Sequence, residues 1–460
     1  MSELLAERIA HRVRDNPSRI AVVSAREEIS YADFWARVSR VASGLSSMNR
    51  VAVLPTSDVE SLVVVTAAMR AGTSVVLLHR HLLEAQLERV LELTVPGAVV
   101  AESKQHRRLR RRGFSGELVT AVDLECDGAS NQASADSELL VGVTSGTTGE
   151  PKLFVRNQLS WARTLDRSDA VFDVGVGDRV SVPGVLDHTH FLYGALHALT
   201  RGALVDLRGA ETAVKAGATH LYSVPTIAWD LVRSGIEPVE CVREVISSAA
   251  RWPRSGRRAL QATLPRASLV HFYGASELSF VSFDRGLGDI DEFSAGELFD
   301  GVDAEIRDGL VHVRSDMLFD GYLTEMGVVD GPLDGWMTVG DRGRVEVRRL
   351  QLLGRESDML IRAGLKVEPA AVEAALTALP GIAEAACIGV PDARMGEAPA
   401  VAIVVNDDAL QTEAIWRHLR TTLPSPSMPV RILRVDRLPR TPRGKLDRVA
   451  LAIALSDSER

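Results

Sequence analysis

The stretch Thr144-Ser145-Gly146-Thr147-Thr148-Gly149-Glu150-Pro151-Lys152 lies between two apolar segments, Leu139–Val143 and Leu153–Val155. Its glycines allow backbone N–H groups to approach phosphate oxygens closely, and its hydroxyl groups and lysine add donors for a polyphosphate. The stretch therefore predicts a phosphate-binding loop between two strands, and a solvated turn is the alternative that these residues alone leave open. The GxxxxGK[ST] spacing of a Walker A loop is not present in it.

Helical and strand-like patterns alternate on both sides of this loop. The clearest helix and strand predictions are Leu62–Arg70, Ser74–Leu78, Leu82–Leu93, Ala98–Ala101, Ala203–Leu207, Thr219–Ser223 and Glu244–Ser247. Such alternation predicts parallel sheets covered by helices. From Gly296 to Arg348 short strands and glycine-containing turns predict an antiparallel sheet or a small barrel.

The length of 460 residues exceeds what one hydrophobic core usually organises, so two or more domains are expected. The pattern changes after Gly354, where alternating helices and strands predict a small α+β domain of about a hundred residues. We expect an N-terminal domain over 1–353, a hinge over 354–358 and a C-terminal domain over 359–460.

Composition narrows the function classes. The apolar fraction is 46%, charged residues make up 25%, and the net charge is −8, which is ordinary for a soluble protein and gives no support for a nucleic-acid partner. The three cysteines form no CxxC pair, so a disulfide framework or zinc ribbon is excluded. No uninterrupted apolar segment predicts a signal peptide or a membrane insertion, and we expect a cytoplasmic location.

Further motifs follow in order along the chain. They are Asn16-Pro17-Ser18-Arg19-Ile20-Ala21-Val22, Tyr273-Gly274-Ala275-Ser276-Glu277, Gly335-Trp336-Met337-Thr338-Val339-Gly340-Asp341, Gly354-Arg355-Glu356-Ser357-Asp358 and Pro439-Arg440-Thr441-Pro442-Arg443-Gly444-Lys445. Together with the phosphate loop they resemble the adenylate-forming (ANL) superfamily of AMP-dependent synthetases and ligases, most of all its acyl-CoA synthetases. Chance is a poor account of so many matches in order.

The resemblance implies a fold and a reaction. The expected fold is a large N-terminal α/β domain, with two doubly wound subdomains and a small β-barrel, followed by a mobile C-terminal α+β domain. The expected enzyme is an acid–thiol ligase that uses ATP and Mg²⁺ to form an acyl-adenylate and transfers the acyl group to CoA. A stand-alone adenylation enzyme that loads a carrier-protein phosphopantetheine is the alternative, and a non-catalytic nucleotide-binding relative is a further one.

The resemblance also implies nucleotide contacts. Asp341 would bind the ribose, Arg355 the ribose or phosphate, and Glu277 the Mg²⁺ ion, with Lys445 as the catalytic cation of adenylation. The remaining expected nucleotide contacts are Thr144, Ser145, Gly146, Thr147, Thr148, Gly149, Lys152, Ser248, Ala249, Tyr273, Gly274 and Ser276.

For the thiol step the resemblance implies a rotation of the C-terminal domain about a hinge at Ser357, which brings Gly364 to the thiol tunnel. The hinge residue is usually Asp or Lys in the superfamily, so Ser357 removes a charge there. Of two histidines close together, His188 is the one expected to border the acyl pocket, and a structural histidine is the alternative. Leu153 and Val339 also depart from the superfamily pattern. The acid is a small carboxylic acid of open identity, and the protein is expected to be a monomer or homodimer.

Overall fold

The structure is a computed structural model that describes residues 3–80, 82–111, 114, 116–145, 151–249, 252, 254–286, 293–355, 358–362, 365–392, 396–406, 410–441 and 444–457. Within these ranges no helix combines the length and the hydropathy that a bilayer-spanning segment needs.

The helices are α1 (Leu5–Asp15), α2 (Tyr31–Leu45), α3 (Val59–Ala71), α4 (Glu84–Thr94), α5 (Ser103–Arg111), α6 (Gln158–Val171), α7 (Thr189–Thr200), α8 (Ala210–Lys215), α9 (Pro225–Arg233), α10 (Arg254–Thr263), α11 (Pro369–Thr377), α12 (Thr412–Thr422) and α13 (Arg448–Asp457).

The strands are β1 (Ile20–Val23), β2 (Glu28–Ser30), β3 (Arg50–Val53), β4 (Ser74–Leu77), β5 (Val99–Val100), β6 (Leu118–Val119), β7 (Glu138–Ser145), β8 (Pro151–Asn157), β9 (Arg179–Ser181), β10 (Leu204–Asp206), β11 (His220–Ser223), β12 (Glu244–Ser247), β13 (Ser268–Ala275), β14 (Ser279–Arg285), β15 (Ser294–Leu298), β16 (Asp303–Arg307), β17 (Leu310–Arg314), β18 (Gly321–Thr324), β19 (Gly327–Val329), β20 (Trp336–Met337), β21 (Asp341–Glu346), β22 (Arg349–Arg355), β23 (Leu360–Arg362), β24 (Leu365–Val367), β25 (Ile382–Asp392), β26 (Gly396–Val405) and β27 (Arg431–Arg434).

Three sheets organise the described part of the chain. An eight-stranded sheet has the order β19-β18-β8-β7-β4-β3-β5-β6, and β3 to β7 pair in parallel within it. A 14-stranded sheet has the order β16-β17-β21-β22-β15-β14-β13-β12-β11-β9-β10-β1-β2, with β20 paired to β17. The predicted α/β fold class is confirmed. Of the strands predicted as an antiparallel sheet or barrel, β15, β16, β17, β20 and β21 join the larger sheet, whereas β18 and β19 join the smaller one through β8.

The third sheet, of five strands, has the order β24-β23-β26-β25, with β27 paired to β26. Its first strand along the chain begins at Leu360, whereas the 14-stranded sheet ends along the chain at Arg355. The change of sheet therefore falls beside the predicted hinge, and the division into domains stays a proposal. Ser357 lies outside the described residues.

The α3 helix shows how sequence sets the packing between the two large sheets. Asp58 accepts a hydrogen bond from the Ser61 N–H at 2.9 Å and starts the helix, and Gly72, with φ +75°, ends it. Nearly every side chain between these residues is buried, as expected for a helix that is apolar on all faces. One core cluster joins α3 to Val75 of the smaller sheet and Val180 of the larger one.

Candidate active site

The candidate site lies at the carboxyl ends of parallel strands. β11, β12 and β13 are neighbours in the larger sheet and pair in parallel. Ser223 ends β11, Ser248 follows β12, and Tyr273 lies near the end of β13. Ligands of open α/β sheets bind at this edge. Three separate sequence segments therefore converge where a ligand is expected.

A buried carboxylate joins three of the predicted nucleotide residues. The Tyr273 hydroxyl donates to Asp341 Oδ2 at 2.5 Å, and Arg355 Nε donates to Asp341 Oδ1 at 2.9 Å. Asp341 and Arg355 are directly opposite in the β21–β22 ladder, which holds them together. Each carboxylate oxygen has a second lone pair, so Asp341 can still accept a hydrogen bond from a ligand.

The charges of this group shift its pKa values. Burial, followed by the negative charge of Asp341, raises the pKa of Tyr273 well above its usual value, so the phenol stays protonated and remains a donor. Burial by itself lowers the pKa of Arg355, but Asp341 outweighs burial and the pKa is raised. At neutral pH the group is an ion pair with a neutral phenol.

Ser248, Ala249 and Gly274 shape the backbone beside Tyr273. The Ser248 hydroxyl donates to the Phe272 carbonyl at 2.9 Å, which ties β12 to β13 past the end of their ladder. Ala249 has φ +78°, a left-handed conformation that non-glycine residues seldom adopt and that is frequent at ligand sites. A Cβ atom at Gly274 would lie 2.1 Å from the Ser279 carbonyl oxygen, so only glycine fits there.

Glu277 lies in the turn between β13 and β14. Its Oε1 accepts a hydrogen bond from the Tyr322 hydroxyl at 2.8 Å, and the Lys152 ammonium lies 5.2 Å from the centre of the Tyr322 ring. Lys152 and Tyr322 are on the paired strands β8 and β18. Tyr322 therefore lies against both the lysine of the predicted phosphate loop and the Glu277 carboxylate.

Arg156 is a cation at the site that the sequence motifs missed. It is 4% exposed, and its guanidinium donates to the Ser276 carbonyl at 3.4 Å and to the hydroxyls of Ser160 and Thr164. Burial lowers the pKa of Arg156 to about 10, which leaves it charged at neutral pH. The only signal in the sequence is an arginine within the apolar strand pattern of β8.

Part of the predicted phosphate loop cannot be placed. Gly146, Thr147, Thr148 and Gly149 lie outside the described residues, as does Gly364 of the predicted thiol tunnel. Thr144 and Ser145 form the end of β7, and Lys152 is the second residue of β8, so the strands on both sides extend further than predicted.

The two histidines at the start of α7 have different environments. The His188 ring caps the helix, because its Nδ1 accepts from the His190 N–H at 3.3 Å, and it is partly exposed. His190 is buried, and its Nε2 lies 2.9 Å from the Ser223 carbonyl oxygen at the end of β11. The structure thus places both rings beside the sheet edge, and the role predicted for His188 stays a prediction.

The Lys445 loop reaches the same edge from the small five-stranded sheet. The Lys445 carbonyl accepts from the Thr441 N–H at 2.7 Å, and Arg440 and Leu446 form an isolated bridge that closes the loop. A Cβ atom built at Gly444, which has φ +76°, would lie 3.3 Å from Thr226 Oγ1. Because α9 starts two residues after Ser223, this contact sets the loop beside the end of β11.

Contacts around Glu384 accompany this placement of the loop. The buried Glu384 carboxylate accepts a hydrogen bond from Arg440, and its other oxygen lies 3.7 Å from Arg233 of α9. Trp229, also on α9, belongs to a core cluster with Ala383, Ala386 and Leu438. The Lys445 loop is therefore held by both ionic and apolar contacts.

Comparison with known proteins finds two family models that match successive parts of the chain, and relatives that cover nearly all of it. The AMP-binding enzyme family matches residues 9–323, and the AMP-binding enzyme C-terminal domain matches residues 371–445. The chain is 32% identical to the uncharacterized acyl–CoA ligase YhfT of Bacillus subtilis, with 96% of each chain covered. It is 26% identical to the fatty acid–[acyl-carrier-protein] ligase MmaC of Mycobacterium marinum, with 99% and 98% covered. The fold matches ATP-bound MatB from Rhodopseudomonas palustris with a TM-score of 0.87 at 24% identity, over the whole of both chains.

Proposed function

The chain belongs to the AMP-binding enzyme family of AMP-forming acid–thiol ligases, and we propose that it converts a small carboxylic acid to a thioester in two steps. In the first step a carboxylate oxygen attacks the α-phosphorus of ATP, and pyrophosphate leaves with the electrons of the broken P–O bond. In the second step a thiol sulfur attacks the acyl carbon and loses its proton, and AMP leaves.

The observation that carries this proposal is the convergence of three groups at one sheet edge. They are Asp341 with Tyr273 and Arg355, Glu277 with Tyr322 and Lys152, and the Lys445 loop against Thr226. In the first step two anions must meet, so the barrier falls mainly through charge neutralisation and positioning. We assign that charge to Lys152 and Arg355 of the large sheets and to Lys445 of the C-terminal segment.

Each group has a proposed role. Asp341 accepts hydrogen bonds from the ribose, with Arg355 on the ribose or phosphate, and Tyr273, Gly274, Ser248 and Ala249 border the adenine. The segment Thr144–Gly149, Lys152 and Ser276 hold the phosphates. Lys445 bridges the attacking carboxylate and the α-phosphate, because a lysine ammonium carries a positive charge at neutral pH.

Mg²⁺ fits the residues that are present. Oε1 of Glu277 accepts a hydrogen bond from the Tyr322 hydroxyl, and the carboxylate has further lone pairs for a metal ion. Carboxylate oxygen suits this hard cation. Among the described residues no group of three or more acidic, histidine or cysteine side chains forms a metal cage. This agrees with an ion held by one carboxylate together with substrate phosphates and water. When bound, Mg²⁺ neutralises phosphate charge.

For the second step we propose that the C-terminal segment rotates about Ser357, so that Lys445 leaves and Gly364 lines the thiol path, with His188 beside the acyl group. The contacts of the Lys445 loop with Thr226 support the first of these two arrangements. A sheet change between Arg355 and Leu360 supports a hinge there.

CoA is the acceptor that we propose, because YhfT is named as an acyl–CoA ligase and covers nearly the whole chain. A carrier-protein phosphopantetheine is the second candidate, since MmaC is named as a ligase of fatty acids to an acyl-carrier protein. Incubation with ATP, acid and either CoA or a holo-carrier protein distinguishes the two by which thiol becomes acylated.

Acid-dependent exchange of labelled pyrophosphate into ATP tests the first step. We expect exchange with at least one small acid, with AMP as the nucleotide product once CoA is added. Formation of ADP, with phosphate transferred to the acid, would contradict the proposal. Absence of exchange across a broad acid panel would instead favour a nucleotide-binding protein without this activity.

A further inference from the structure

His190 has one satisfied ring nitrogen and one that is not. Its Nε2 lies 2.9 Å from the Ser223 carbonyl oxygen, and the residue is 9% exposed. A carbonyl oxygen only accepts hydrogen bonds, so the proton of the neutral ring is on Nε2 and Nδ1 carries a lone pair. Within the described part of the chain no group donates to Nδ1, which is buried.

The neutral form is the one that this environment favours. Burial lowers the pKa of His190 to about 4, so Nδ1 remains an acceptor at neutral pH. A buried acceptor without a donor costs free energy that a satisfied one does not. Such a group is therefore a strong candidate for a ligand contact.

The rings around His190 leave little room for a charged or long ligand. Ring centres of Phe191, Tyr222 and Phe272 lie 5.1, 5.5 and 5.6 Å from the imidazole. The Tyr222 hydroxyl is engaged with His197 at 2.9 Å, so it is not the missing donor. The Phe280 ring packs against Phe272 in a T-shaped arrangement, with ring centres 4.6 Å apart.

The position of His190 relates it to the acid. Ser223, which holds the imidazole, is followed by Val224 and Thr226, the residues that the Gly444 backbone approaches. Phe272, a ring neighbour of His190, accepts the Ser248 hydroxyl at the proposed adenine border. His190 is therefore connected both to the segment beside the Lys445 loop and to the proposed adenine border, the two groups between which the reacting acid is proposed to lie.

We propose that His190 selects short hydroxy acids, by accepting a hydrogen bond from the substrate hydroxyl at Nδ1. The inference rests on the proposed adenylation. Nδ1 is buried in this arrangement, so binding of the acid requires neighbouring side chains to move. A neutral hydroxyl suits this apolar setting, whereas a second carboxylate would meet a lone pair and lose its hydration.

The test compares matched acids in pyrophosphate exchange: C3 to C6 acids with a hydroxyl at carbon 2, 3 or 4, and benzoates with a ring hydroxyl, each beside its parent without the hydroxyl. We expect kcat/KM of the wild-type protein to favour at least one hydroxy acid over its parent by about tenfold or more. Equal or better use of every parent acid, or of dicarboxylates, would overturn the proposal.

Two variants separate recognition from structure. His190→Asn can present its Oδ1 acceptor near the position of Nδ1 but gives up the donor to Ser223, whereas His190→Gln keeps a donor near Nε2 and has no acceptor near Nδ1. We expect the ratio of kcat/KM for a hydroxy acid to kcat/KM for its parent acid to stay above one in His190→Asn. In His190→Gln we expect this ratio to fall to about one. A preference that Gln retains contradicts the role, and a purely structural histidine predicts that Gln resembles wild type.

ATP-induced thermal stabilisation shows whether each variant is folded. If a variant does not fold, the comparison of hydroxy acids with their parent acids in the wild-type protein decides whether the proposal holds. Exchange with any acid supports the adenylation reaction whatever the hydroxyl preference. Exchange without a hydroxyl preference therefore contradicts only the proposed selection by His190. Absence of exchange with every acid contradicts both this selection and the proposed adenylation.

Discussion

The proposed nucleotide side and the proposed acid side of the candidate site are built from different contacts. On the nucleotide side, Asp341 bonds to Tyr273 and Arg355, and Glu277 bonds to Tyr322. On the acid side, aromatic rings pack around His190, which has a single hydrogen-bonded ring nitrogen.

The proposed nucleotide side concerns the reaction that is catalysed, and the proposed acid side concerns the choice of substrate. Neutralising phosphate charge requires particular ionic groups at fixed places, and the groups that we propose for this role each lie in a short motif. Enclosing a small acid requires shape, which depends on which rings meet in the folded chain and corresponds to no motif. Substitutions on the two sides should therefore fail in different ways.

The largest expected effect comes from Lys445→Ala. We expect pyrophosphate exchange to fall by about a thousandfold, because one preorganised cation is lost where charge develops. Thioester formation from synthetic acyl-adenylate and CoA should be largely retained, since that step does not use the lysine. Arg437→Ala, at an exposed cation nearby, is the matched control. An equal loss of both half-reactions would count against the assigned role.

Asp341→Asn should break the nucleotide side alone. The substitution removes the charge that Arg355 and Tyr273 share, and hydrogen bonds to charged groups contribute about 1.5–3 kcal/mol. We expect KM for ATP to rise by about ten- to a hundredfold, with KM for the acid nearly unchanged. Asp334→Asn, at an exposed turn carboxylate, is the control. Parallel increases in both KM values would mean that the two sides are not independent.

Glu277→Gln should produce a smaller and more specific change. The amide keeps an oxygen for Tyr322 but lacks the charge that attracts Mg²⁺. We expect about tenfold more free Mg²⁺ to be needed for half-maximal exchange, with a lesser effect at saturating Mg²⁺. Glu325→Gln provides an exposed control. An unaltered Mg²⁺ titration would remove Glu277 from the proposed metal site.

The smallest expected effect concerns His190 on the proposed acid side and the pH dependence of the free energy of unfolding. His190 has a folded-state pKa of about 4, below its unfolded value of about 6.5. The unfolded chain therefore binds more protons as pH falls from about 6.5 to 4, and the free energy of unfolding decreases by at most about 1.4 kcal/mol per pH unit from this group. Urea titrations at pH 7, 6 and 5 should show a shallower decrease for His190→Gln. Identical slopes would show that the ring is not buried as a neutral group.

The sequence predicted the alternating elements because their apolar periods and turn residues are local. The helix predicted at Leu62–Arg70 spans Val59–Ala71, since the Asp58 cap and Gly72 extend it at both ends. Asp341 and Arg355 were also identified from local motifs, and strand pairing then brings them together. Their roles toward a nucleotide remain proposals.

The sequence could not identify residues whose environment depends on distant parts of the chain. His188 and His190 are two positions apart, and only the packing of α7 on β11 shows which ring is buried. In the sequence, Arg156 is only a charged residue within an apolar strand pattern. Its place at the site depends on the hydrogen bond to the Ser276 carbonyl, which is distant in the chain. The distribution of the predicted barrel strands between the two large sheets depends likewise on long-range pairing, of β15 with β22 and of β18 with β8.

The ion pair between Glu384 and Arg440 lies within the C-terminal segment, and Arg440 also donates to the Gly444 carbonyl at 3.1 Å. Arg233, by contrast, approaches Glu384 from α9. If the segment turns for the second step, Glu384 separates from Arg233 but keeps Arg440, and the bond from Arg440 to the Gly444 carbonyl is retained. The conformational entropy of ordering that loop is then lost during folding and not in each turnover, so the return to the adenylating arrangement does not have to order the loop again.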